Sequence, residues 1–171
     1  MRLHLTAVLL ALAFAAPAAA DIVDSATERA ILVPGSNLKI VFPREDWVIT
    51  REQTRNDAKS VYYALGSARH DMTLWVFIDL TPVCQNAKSC LGLALKNKAY
   101  DDAKDMRFME HEGFSVVQFT LDRAKEGVKQ QHLIAATYID GAWVDVHLFQ
   151  TVNPKTTPDA LVAALKLIAV K

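Results

Sequence analysis

The sequence predicts an α+β domain: a central, mostly antiparallel sheet built of hairpins, with helices packed on it. Three observations predict it. Residues 129–151 form two alternating apolar runs joined by Asp140-Gly141, the strongest short-range hairpin signal in a sequence. Further alternating runs follow one another across short turns, as antiparallel neighbours do. Residues 87–104 and 157–171 place apolar side chains at helical spacing.

Residues 1–20 have the three parts of a secretory signal peptide: Arg2, a short apolar stretch, and Pro17-Ala18-Ala19-Ala20 as a cleavage site. The apolar stretch is short of the ~20 residues a spanning helix needs, so cleavage is favoured over a membrane anchor. Residues 21–171 then form a single α+β domain, periplasmic or secreted, with no membrane anchor. With 51% of the chain hydrophobic, that length suffices for a sizeable core. The 19 Lys and Arg balance 19 Asp and Glu, and the leader removes only Arg2. Phosphate binding needs a basic face, so nucleic acid is not an expected partner.

In chain order, residues 31–33 read as a short strand before the Pro34-Gly35 turn. Residues 38–42 alternate and stop at Pro43, and residues 47–50 return. Residues 51–59 are charged and read as a loop, for recognition or simply solvated. Residues 61–65 and 72–78 pair if Arg69-His70 is the turn. Val61, Tyr63 and Leu65 then share a face with Leu74, Val76 and Ile78. Tyr62, Ala64, Trp75 and Phe77 fill the other side, which suggests burial on both faces.

Cys84 and Cys90 read as a disulfide in an exported chain. It would close a small loop and contribute about 2–3 kcal/mol. The spacing is not Cys-x-x-Cys, and no second pair exists to complete a metal site. A helix over residues 87–104 follows, with Leu91, Leu95 and Ala99 on its stripe and Gly92 as a weak point. Residues 106–110 and 114–119 make a hairpin turning at Glu112-Gly113, with Met106, Phe108, Val117 and Phe119 on one face. Residues 121–128 read as a polar loop.

In the 129–151 hairpin, a type I′ turn at Asp140-Gly141 sets the register. Ile139, Thr137, Ala135 and Leu133 then face Ala142, Val144, Val146 and Leu148, and this side carries the core. Tyr138, Ala136, Ile134 and His132 face Trp143, Asp145, His147 and Phe149 on the other side. Thr157-Pro158-Asp159 opens a last helix, with Thr157 as cap and Leu161, Leu165 and Ile168 on its buried stripe. Lys171 suits its negative C-terminal end.

This order of elements resembles the PsbP-like fold. The likeness rests on Phe42-Pro43 before Trp47-Val48, then hairpins, a helix, two more hairpins, and a terminal helix after Thr157-Pro158-Asp159. It covers residues 37–171. The family is named for an extrinsic protein of photosystem II. A Ran-binding nuclear import factor and many small exported bacterial proteins share its fold. The resemblance implies an α/β/α sandwich and a protein that binds or stabilises partners. It implies no active site, so no functional residue carries over.

Besides the charged loop at 51–59, two sets of residues are candidates for function. His132, Asp145 and His147 share the polar side of the hairpin, and imidazole with carboxylate suits zinc or copper. The same groups could make a base and its orienting acid. A nucleophile is lacking: nothing brings Ser115 or Thr137 close, and there is no Gly-x-Ser-x-Gly. The plainer reading is a sheet face with polar residues at its solvent edge. Tyr138 and Trp143 form an aromatic pair that could anchor a partner or could only pack across strands. No phosphate-binding or haem motif is present and no cofactor is implied. The expectation is therefore a monomeric, exported binding or accessory protein whose partner is another envelope protein. The alternative is a metal-binding protein or metal-dependent enzyme that uses the polar face of the hairpin.

Overall fold

The computed structural model describes residues 22–33, 35–54, 59–123, 127–157 and 159–171. Residues 1–21, which include the leader, lie outside the described residues, as do Pro34, residues 55–58, residues 124–126 and Pro158. Eleven strands form among the described residues. They are β1 (Ile22–Asp24), β2 (Glu28–Leu32), β3 (Lys39–Pro43), β4 (Val48–Thr54), β5 (Ser60–Ser67), β6 (Met72–Asp79), β7 (Lys104–His111), β8 (Phe114–Arg123), β9 (Val128–Ile139), β10 (Ala142–Thr151) and β11 (Ala169–Val170). Two short helices, α1 (Ala87–Ala94) and α2 (Ala160–Leu165), and a 3-10 turn at Lys98–Tyr100 complete them.

The strands make two antiparallel sheets. One has the order β4-β5-β6-β10-β9-β8-β7, the other β1-β2-β3-β11. The molecule is thus a β-sandwich, which overturns the expected α+β sheet and the α/β/α sandwich of the resemblance. Helix is scarce because both anticipated helices stop early. After the first ends at Ala94, Asn97 Oδ1 accepts from the Ala99 amide at 3.0 Å and caps a separate turn. The last helix stops at Leu165, and the chain then extends to lie beside β3. There the Lys39 and Lys171 amides each donate to the other's carbonyl at 2.9 Å. This pairing closes an edge of the small sheet that would otherwise stay open.

Two hairpins keep their expected registers, whereas residues 47–50 do not return against 38–42: β3 pairs with β2 and β11 in the small sheet, and β4 pairs with β5 in the large one. Ile139 sits opposite Ala142 and Leu133 opposite Leu148, while Val61 faces Ile78 and Leu65 faces Leu74. Asp140 and Gly141 both have positive φ, at 49° and 83°, as a type I′ turn requires. Inward side chains of both sheets and of α2 share one core, with Trp47, Tyr63, Phe42, Leu74 and Leu148 fully buried. Each large side chain so buried stabilises by about 1.5–3 kcal/mol. On the far side of the large sheet α1 packs against β8, β9 and β10.

Three further differences matter. Residues 51–54, expected in a charged loop, continue β4, and residues 121–123, also expected in a loop, extend β8. The N-terminal strand pairs two segments, Ile22–Asp24 and Glu28–Leu32, where residues 31–33 alone were expected. In β7 a bulge between Lys104 and Arg107, with Asp105 at φ 57°, takes Met106 out of register, while Phe108 stays opposite Val117. Val117 and Phe119 are buried there, whereas Phe108 on the edge strand is 63% exposed.

Candidate functional site

The outer face of the large sheet holds the site. Along β9 it presents His132, Ile134, Ala136 and Tyr138, and along β10 it presents Trp143, Asp145, His147 and Phe149. Above it, the Cys84–Cys90 disulfide and the Asn86/Ser89 capping box anchor the start of α1. Cys90 and Leu91 of α1 then pack with Val117, Ile134 and Ala136. The chain leaving α1 makes the 3-10 turn, which sets Tyr100 over the two histidines.

The result is a chain of polar groups in an aromatic setting. The Tyr100 hydroxyl is 3.3 Å from His147 Nδ1, and His147 Nε2 is 2.9 Å from His132 Nδ1. His132 is stacked between Phe119 and Phe149, with ring centroids 5.2 and 5.4 Å away. Trp75 meets His147 edge-on at 5.3 Å. Burial pushes His132 down to about 4, helped by the nearby charge of Arg123. Burial, then His132, then Arg123 push His147 down to about 3. Both rings are therefore neutral at neutral pH. Burial and Asp145 raise the Tyr100 hydroxyl to about 12, and burial raises the Asp145 carboxyl to about 7. A cleft of about 480 Å³ opens beside this chain, lined by Trp75, Tyr100, Arg123, Gln130, His132, His147 and Phe149 among others.

The chain matches no family model and no curated protein.

The site's own chemistry has to speak for it. His132 and His147 come together as their register demands, and Asp145 shares their face two residues along β10. Among the described residues no group of three His, Cys, Asp or Glu is placed to hold a metal ion. The two imidazoles share a hydrogen bond with each other, and Asp145 Oδ1 is buried without a hydrogen-bond partner. Rings that protonate near 4 and 3 are weak bases at neutral pH. Ser115 donates to Glu110 and Thr137 to the Gly113 carbonyl, so neither serves the histidines as a nucleophile.

Tyr138 and Trp143 stand opposite each other, half-buried, and pack on the apolar cluster under α1. Trp143 also meets Phe77 edge-on at 5.3 Å. Three participants were not visible as site residues in the sequence: Tyr100, Arg123 and Gln130. Tyr100 lies off the stripe of the expected helix, and Arg123 fell within an expected loop. The available signal was Asn97, a good cap three residues before Tyr100.

Proposed function

We propose that the protein is an exported, single-domain binding or accessory protein. It acts through protein–protein contacts on the open half of the large sheet's outer face. One observation carries this reading: α1 covers the face over β8, β9 and β10, while Tyr62, Trp75 and Phe77 on β5 and β6 stay half-exposed as an aromatic platform. Tyr62 meets Trp75 at 6.0 Å, and Trp75 meets Phe149 at 4.7 Å. A hollow of about 250 Å³ beside Tyr62 and Phe77 gives an anchoring side chain somewhere to sit. Rigid aromatic side chains lose little entropy on binding and dominate protein interfaces.

Three features support export. Residues 1–20 read as a leader, the Cys84–Cys90 disulfide is formed, and among the described residues no helix is long and apolar enough to cross a membrane. Weakly basic histidines without a nucleophile favour binding over catalysis.

Site-specific photocrosslinking in the producing cell tests the reading. A crosslinker replacing Tyr62 should yield one discrete adduct with an envelope protein, and Phe77→Asp should abolish it. A crosslinker replacing Lys155, on the exposed loop after β10, should yield none. No adduct at Tyr62, or the same adducts at both positions, would sink the proposal.

A further inference from the structure

The cleft beside the histidines has its own polar chemistry and shares Trp75 with the platform. Its size falls in the range of small-molecule sites, and its walls are aromatic with a few convergent polar groups. His132 is only 2% exposed, and its Nε2 has no hydrogen-bond partner. A buried N–H without an acceptor costs about 1–3 kcal/mol, a cost that a bound acceptor removes. Among the described residues, Arg123 is the charged residue of the lining and no carboxylate lines the cleft. Its Nε donates to Gln130 Oε1 at 3.1 Å, which orients the guanidinium.

We propose that this cleft binds a small organic acid with an aromatic body. Arg123 and the Nε2–H of His132 hold the carboxylate, and Trp75 and Phe149 face the ring.

The hydrogen-bond chain explains why an anion suits the site. Two tautomer sets satisfy it. In one, Tyr100 donates to His147 Nδ1, His147 Nε2–H donates to His132 Nδ1, and His132 Nε2 carries a hydrogen. In the other every bond is reversed and His132 Nε2 is a bare acceptor. A carboxylate at the far end selects the first set and polarises every bond in it the same way. Tyr100, with its hydroxyl held neutral, is the positioning residue at the head of the chain. Asp145 raises the Tyr100 hydroxyl from nearby, but it is not part of the lining, and burial favours its neutral form.

Calorimetric titration of the purified, oxidised protein at neutral pH tests this with phenylacetate, its uncharged isostere phenylacetamide, and phenethylamine. One equivalent of phenylacetate should bind, about tenfold or more tighter than the amide, as expected for a charge-assisted pair. Arg123→Gln should reduce the acid to the level of the amide, and Tyr100→Phe should weaken the acid severalfold. Nitrogen NMR of the bound wild type should show His132 protonated at Nε2. Equal binding of acid and amide, tighter binding of the amine, or no saturation by phenylacetate at ~10 mM would overturn the proposal. If Arg123→Gln fails to fold, the acid-to-amide ratio and the His132 signal of the wild type decide. The platform has a separate test, because Tyr62 and Phe77 do not line this cleft.

Discussion

At the scale of single residues the buried histidines govern the response to pH. Their protonation is depressed from 6.5 to about 4 for His132 and about 3 for His147. In mild acid the unfolded chain therefore binds protons that the folded chain refuses. The stability they contribute is full above about pH 6.5 and is lost as pH falls towards 4. Asp145 acts in the opposite sense. Its carboxyl is raised from 3.8 to about 7, so its contribution is present in acid and is lost as pH rises through 7. Two groups outweigh one, and the urea midpoint should fall as pH drops from about 6.5 to 4. His147→Leu should flatten that dependence and Asp145→Asn should steepen it. Identical slopes in all three proteins would show that these groups are not shielded as described. The meeting of His132 with His147 was legible in the sequence, because alternation and the Asp140-Gly141 turn place them diagonally on one face. Their neutrality was not. It comes from Tyr100, Phe119 and Arg123, which lie on other elements, together with Phe149 on β10.

At the scale of elements, two glycines separate backbone effects from packing. Gly141 has φ +83° and nothing near the position a Cβ would occupy. Gly141→Ala should therefore destabilise through backbone strain alone, by about 1 kcal/mol. Gly92 lies inside α1, also with open space around it. Gly92→Ala should stabilise, by about 0.5–1 kcal/mol, because alanine is the better helix former. Urea denaturation reads both, and the opposite signs are the test. Loss of stability in Gly92→Ala would mean that α1 is not helical at that point. The hairpins were readable because a period of two and a special turn fix the register together. The length of the first helix was not, since Leu91, Leu95 and Ala99 keep helical spacing past its true end. After α1 ends at Ala94, the Asn97 side chain instead caps the separate turn at Lys98–Tyr100.

At the scale of the whole molecule the small sheet and the C-terminal residues depend on each other. Ile168 is 2% exposed in the core between the sheets, just before β11 joins β3. Ile168→Ala should cost about 2–4 kcal/mol and loosen β11. Hydrogen exchange should show the Lys39 and Lys171 amides losing protection together, and continued protection of both would refute the coupling. The sequence alone determined what short-range patterns encode. Alternation with Asp140-Gly141 and Arg69-His70 set two hairpins and their buried faces, and cysteine spacing in an export context set the disulfide. The tertiary structure decided the rest. A stripe of Leu161, Leu165 and Ile168 buries equally well as a long helix or as a short helix followed by a strand. Only the open edge of β3, from the other end of the chain, selects the second. The site follows the same rule. Alternation placed its floor on one face, while its wall and its charge arrived with Tyr100, carried by the chain after the disulfide-anchored helix, and with Arg123, brought alongside by the pairing of β8 with β9.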